Sequence, residues 1–193
     1  MPTFSGVTPL LIPLLACFFL GSIPFAVLSM LGTGIDIRRV GSGNPGFNNV
    51  LRVSKPRAVL ALIGDMGKGF LAIGLLYKAG DPVALGWLYG FAAILGHCYS
   101  PFLKFNGGKG VATSGGVMLW LYPKLAAVAL ATFLIIRVTG SRLKWREAGA
   151  IASIGTWMIF SLVMFVLIGA WDGIFAGLMT LLLIGRHKKN FQN

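Results

Sequence analysis

Apolar positions in this chain run in long blocks, near 7–31, 58–77, 83–103, 111–136, 148–169 and 173–185, with polar residues gathered between them. At 1.5 Å per helical residue, blocks of about 20 match a hydrocarbon core about 30 Å thick. The pattern therefore predicts membrane helices. The fourth block contains Pro123-Lys124. As a single span it would hold a helix-breaking proline and a costly lysine near mid-bilayer. Dividing it there gives two shorter helices, about 111–121 and 124–137, and seven segments in all. With the N-terminus outside, seven segments place fourteen of the seventeen Lys and Arg on the cytoplasmic side, whereas six spans place only seven there. Inward-facing loops are enriched in Lys and Arg, so the bias selects seven segments and an inside C-terminus. The predicted fold is all-α, a polytopic integral membrane protein with residues 1–193 forming a single membrane domain.

Composition agrees. Hydrophobic residues make up 56% of the chain and charged ones 11%, against about 25% charged in a soluble domain. The 27 glycines fit close helix–helix approach in lipid. A net charge of +12 raises nucleic acid as a partner. The basic residues fall in short inter-helix loops, however, which is a topological signature, with anionic lipid as a secondary partner. Nucleic acid is not expected. Cys17 and Cys98 stand alone in apolar segments and are read as packing residues. Leu14-Leu15-Ala16-Cys17 loosely matches a lipoprotein cleavage box, but no Lys or Arg precedes Arg38. Without that basic start the first segment is expected to be retained.

Three polar segments carry the candidate chemistry. The first is Gly41-Ser42-Gly43-Asn44-Pro45-Gly46, followed by Asn48, Asn49 and Arg52. Its glycines allow backbone N–H groups to turn toward one point, and such concavities bind anions. Arg52 adds a planar fork suited to phosphate. The second runs from Gly96-His97 to Gly107-Gly108-Lys109-Gly110, with a helix expected to start near Val111. Helix N-termini favour anions, but the order of a nucleotide-binding P-loop is missing. The third is Arg186-His187-Lys188-Lys189-Asn190, where a continuing helix would put His187 and Asn190 on one face. Asp65 and Lys68, three apart, are expected to pair inside the membrane. His97 taken alone reads as a structural histidine bonded to a loop carbonyl. Neither histidine has metal-ligand spacing, so no metal or cofactor is expected. The inside loops would bring these segments to one cytoplasmic face.

Together these blocks resemble the bacterial acyl-phosphate:glycerol-3-phosphate acyltransferases of the PlsY type, over nearly the whole chain. The resemblance runs from Gly21-Ser22-Ile23-Pro24-Phe25 and Gly34-Ile35-Asp36-Ile37-Arg38 through the Gly41–Arg52 block. It continues through Asp65, Lys68-Gly69, Gly96-His97 and Phe105–Thr113 to Arg186-His187 and Asn190. It implies a seven-helix enzyme of the bacterial inner membrane whose site faces the cytoplasm. Its reaction moves a fatty acyl group from acyl phosphate to the sn-1 hydroxyl of glycerol 3-phosphate. The products are lysophosphatidic acid and phosphate, the first step of phospholipid synthesis.

By motif, Ser42, Arg52, Lys109, His187 and Asn190 would be the catalytic and phosphate-binding positions. Gly41, Gly43, Asn44, Gly46, Asn48, Asn49, His97, Gly107, Gly108 and Gly110 would surround the substrates, with Asn44 and Asn49 organising the first loop. The partners would be acyl phosphate, glycerol 3-phosphate and membrane lipid, and the protein a monomer. Two positions depart from the pattern. Gly46-Phe47-Asn48-Asn49 stands where the family usually has Gly-Ala-Thr-Asn, and Glu147 aligns with a functional serine, Ser141 serving only with a shifted helix. A carboxylate there would repel phosphate unless protonated or paired with Arg146 or Lys144, and it adds a candidate general base. The competing class is a transporter or flippase for a phosphorylated small molecule, whose polar residues should line a midplane path.

Overall fold

The computed structural model describes residues 8–191, all helical or irregular within that range. The backbone divides into two compact units, 1–121 and 122–193. In the first unit α1 (Thr8–Ser22) stops short of Pro24, and a single turn, α2 (Phe25–Leu28), follows. The block 7–31, expected as one segment, is therefore broken. Proline cannot donate to the preceding turn, and the freed groups find other partners. Ser22 Oγ donates to Phe18 O at 2.7 Å, and Ser100 Oγ donates to Ser22 O at 2.7 Å.

After an irregular stretch come α3 (Phe47–Val53), α4 (Lys55–Gly74), α5 (Val83–Cys98), a 3-10 turn (Pro101–Leu103) and α6 (Val111–Leu121). Helix α1 packs on α5, and α4 packs on α6, α5 and α2. These contacts are close because glycines lie on them: a methyl at Gly116 would overlap the backbone of Met66, and one at Gly69 the backbone of Thr113. Cys17 and Cys98 are buried thiols outside any disulfide, in keeping with a packing role, and Cys17 Sγ donates to Ala72 O at 3.3 Å.

The second unit holds α7 (Pro123–Arg142), α8 (Ala148–Leu167) and α9 (Ala170–His187), with a 3-10 turn over Lys188–Asn190. The fourth apolar block is split at Pro123, as expected. Helix α8 packs against both α7 and α9. Between α8 and α9, Ser161 Oγ lies 2.8 Å from Thr180 Oγ1, so these two hydroxyls satisfy one another across an apolar seam.

Among the described residues, four segments, Leu10–Leu28, Val83–Leu103, Pro123–Arg142 and Ala148–Leu167, are long and apolar enough to cross a membrane. Leu60, Ile63, Val128, Ile135, Leu162, Val166 and Leu181 are each more than half exposed. Outward apolar surface on helices with internally bonded backbones is what lipid requires. The fold is that of an all-α polytopic membrane protein.

Candidate active site

The first glycine-rich loop is held by one side chain. Asn49, 1% exposed on α3, accepts the Ser42 N–H on Oδ1 at 3.0 Å. Its amide nitrogen donates to Ile37 O at 2.9 Å and Val40 O at 3.0 Å. A side chain at Gly41 (φ +59°) would overlap Asn49 Oδ1, and Gly43 also has positive φ (+66°). Glycine meets both demands without strain. The Arg52 side chain passes beside Gly41 from the last turn of α3. Ser42, Asn48 and Arg52 are exposed, and Asn44 is half-buried with its N–H 3.5 Å from Ser42 Oγ. Arg38 is committed elsewhere. Its guanidinium makes a bidentate pair with Asp36 at 2.8 and 2.9 Å, and those hydrogen bonds pull the Asp36 carboxyl down to about 2.

One expectation needs correcting. The amides of this loop do not form an open cradle: Ser42 N–H goes to Asn49, Gly43 N–H to Val40 O at 3.0 Å and Gly46 N–H to Asn44 O at 2.9 Å. The second loop follows the same rule. Gly107 N–H donates to Cys98 O and Gly108 N–H to His97 O, both at 3.1 Å. In both loops these glycine amides bind the chain to itself. Gly107, Gly108 and Gly110 are buried, Lys109 is half-exposed, and α6 starts at Val111 as expected.

The two loops meet. Pro45 of the first and Gly108 of the second line one small cavity with Ile23, Asp65, Lys68 and His97. Lys68 Nζ lies 2.8 Å from Asp65 Oδ1, the internal pair read from the sequence. It also donates to Ile23 O at 2.7 Å. Beyond what sequence spacing indicated, His97 joins the pair, with Nδ1 3.5 Å from Asp65 Oδ1.

In the second unit two predicted segments also meet. Asn190 Nδ2 donates to Glu147 Oε2 at 2.6 Å. Of the two conditions under which a carboxylate would not repel phosphate, pairing with Arg146 or Lys144 is not met: among the described residues, neither forms an ion pair with Glu147. Both are exposed, and the Lys144 backbone lies in the left-handed region at φ +56°. Ser141 instead accepts from Arg137 at 2.7 Å. The condition for His187 and Asn190 to share a helix face, a continuing helix α9, is not met. The helix ends at His187, and the 3-10 turn carries Asn190. His187 is buried, its Nδ1 2.8 Å from Leu183 O, so that contact fixes the ring on its own helix.

Fold and loops together set the class: a helical integral membrane protein with cationic, glycine-rich polar loops. A family model for glycerol-3-phosphate acyltransferase matches residues 11–193. The glycerol-3-phosphate acyltransferase of Laribacter hongkongensis (strain HLHK9) is 40% identical over 191 residues, covering 93% of this chain and 90% of that one. That of Pseudomonas syringae pv. tomato (strain ATCC BAA-871 / DC3000) is 40% identical over 183 residues, covering 91% and 89%. Among solved structures, the glycerol 3-phosphate form of PlsY (YgiH), an integral membrane glycerol 3-phosphate acyltransferase, superposes with a TM-score of 0.82. It is 33% identical, with 94% of this chain and 90% of that chain covered. The lysophosphatidic acid form gives 0.81 at 32% identity, with 94% and 89% covered. This chain belongs to the glycerol-3-phosphate acyltransferase family.

Proposed function

We propose that the protein transfers a fatty acyl group from acyl phosphate to the sn-1 hydroxyl of glycerol 3-phosphate, releasing lysophosphatidic acid and phosphate. The observation that carries this reading is the match, over nine-tenths of both chains, to a relative solved in a glycerol 3-phosphate form. The same match favours an enzyme over a transporter or flippase. Arg52 and Lys109 supply cationic donors for phosphate, and Ser42 adds a hydroxyl. Gly41, Gly43, Asn44, Gly46, Asn48 and Asn49 shape the first loop, and Gly107, Gly108 and Gly110 the second. His187, Asn190 and Glu147 are proposed catalytic residues on the motif resemblance alone. The protein acts as a monomer in the bacterial inner membrane, its polar loops toward the cytoplasm.

Acyl phosphate is already activated, so positioning and charge stabilisation are the main tasks. The glycerol hydroxyl oxygen forms the new C–O bond to the acyl carbon as the bond from that carbon to the phosphate oxygen breaks. The hydroxyl proton goes to the departing phosphate or to the Glu147 carboxylate. The purified protein, given acyl phosphate and glycerol 3-phosphate, is expected to release phosphate and form lysophosphatidate in equal amounts. Product from acyl-CoA or acyl carrier protein, and none from acyl phosphate, would overturn the donor. Solute uptake into vesicles without product would restore the transporter.

Glu147→Gln separates the two proton acceptors. The amide keeps an oxygen for Asn190 Nδ2 but cannot act as a base. If Glu147 takes the proton, turnover falls by about a hundredfold and the acid limb of the pH profile disappears. Unchanged turnover and pH profile would leave the phosphate as the acceptor.

A further inference from the structure

The reaction proposed above makes no use of the buried charges in the first unit. Asp65 is 2% exposed, Lys68 3% and His97 7%. Replacing a buried ion pair by apolar residues of like volume is often neutral or stabilising, so stability alone is a weak reason for charge at this depth. Geometry supplies another. Through Lys68, the Asp65 carboxylate reaches the Ile23 carbonyl at the break between α1 and α2. It also faces one edge of the His97 ring. The opposite edge, Nε2, sits so near Gly108 that a methyl there would overlap it. The backbone of His97 takes the Gly108 N–H as well. Pro45, from the first loop, closes the same cavity. One carboxylate is thus connected to the helix break and, across an imidazole, to the residue next to Lys109.

We propose that Asp65, Lys68 and His97 form a positioning centre that fixes the Gly107–Gly110 loop against Ile23 and Pro45. It thereby sets where Lys109 meets the phosphate of glycerol 3-phosphate. This moves His97 from the substrate-contacting set to a positioning role, and it rests on the reading of Lys109 as a phosphate ligand. The loop's amides are already occupied by carbonyls of α5, so its position follows the end of that helix, which the His97 ring orients. A small displacement of a positioned group is enough to weaken its contact with substrate.

The test compares Asp65→Asn/Lys68→Met, His97→Leu and His97→Asn in the purified full-length protein. The double variant removes both buried charges together, so no uncompensated charge remains. His97→Asn keeps an amide N–H near the place of Nδ1. The double variant and His97→Leu are expected to raise KM for glycerol 3-phosphate about tenfold while kcat changes less than about threefold. His97→Asn is expected to recover at least half of that loss. Hydrogen exchange at Gly107 and Gly108 should quicken about tenfold in the first two variants, with α8 and α9 unchanged. Folded variants with unchanged KM and unchanged exchange would overturn the proposal. So would a loss spread equally over kcat, KM and thermal stability, which marks a merely structural role. The exchange result also separates this proposal from the reading beneath it. If Lys109→Ala binds glycerol 3-phosphate normally, and exchange still quickens in the variants, the phosphate assignment fails and the positioning centre stands.

Discussion

Arg52→Ala is expected to reduce kcat/KM for glycerol 3-phosphate by roughly two to three orders of magnitude, with Tm unchanged within a few degrees. Truncating one partner of a hydrogen-bonded charge pair costs about 2–5 kcal/mol, which corresponds to about 30- to 4,000-fold. The upper part applies because the Arg52 side chain passes beside Gly41, whereas Arg38 and Arg39, the preceding arginines, both face Asp36. Stability should be spared because Arg52 is exposed on the last turn of α3 and outside the packed core. Surface substitutions of this kind usually stay within about 0.5 kcal/mol. Arg52→Lys should fall between, since it keeps the charge and loses the fork. Lys109→Ala should behave like Arg52→Ala. Initial rates of phosphate release across a glycerol 3-phosphate series check all three. Full activity in Arg52→Ala or Lys109→Ala would remove that residue from the site.

How much of this was legible in the sequence depends on what kind of signal each feature leaves. The division at Pro123 was readable because a proline and a lysine together are intolerable at mid-bilayer. The break at Ile23-Pro24 carried a proline but no charge beside it to make a single span costly. Hydropathy stays high through 7–31, and hydropathy reports depth in the membrane, whereas the break is a matter of backbone hydrogen bonds. Its partners, Ser100 and Lys68, are 78 and 45 residues away. Helix α3 was read as loop because Phe47–Val53 is only seven residues long, too short for a periodic pattern to stand out. The Asp65–Lys68 pair was visible because its members are neighbours on one helix.

Glu147 shows the converse. Sequence adjacency offered Arg146 and Lys144, yet the partner is an amide 43 residues on. The tertiary fold decides which side chains meet, and charge complementarity between adjacent residues does not. The loop amides make the same point. Glycine content correctly marked where the backbone must turn, at Gly41 and Gly43. It could not reveal that Asn49 and two carbonyls would take the amides of Ser42, Gly43 and Gly46. Glycine permits a conformation without specifying the acceptor.

The α4–α6 contact gives the largest expected effect on folding, and it comes with an internal control. Gly115 and Gly116 are adjacent on α6. A methyl at Gly116 would overlap the carbonyl oxygen of Met66 and stand 3.0 Å from the backbone nitrogen of Phe70, whereas one at Gly115 meets only the flexible Met66 Cε at 3.9 Å. Overlap with backbone cannot be relieved by a side-chain rotation; the two helices must separate. Overpacking typically costs about 1–3 kcal/mol, and Gly116→Ala should reach or exceed the top of that range. The bulkier Gly116→Leu should prevent accumulation of folded protein. Gly115→Ala should be neutral or stabilising by up to about 1 kcal/mol, because alanine outranks glycine inside a helix. Thermal unfolding of the purified proteins, followed by tryptophan fluorescence, reads the opposite signs directly. Equal effects at the two positions would mean that α4 and α6 do not pack backbone to backbone. The contact bears on function as well, because α6 begins two residues after Lys109. Separating α6 from α4 moves the start of α6, and with it the loop that carries the lysine. A Gly116 variant that still folds is therefore expected to bind glycerol 3-phosphate weakly, and Gly115→Ala to bind it normally.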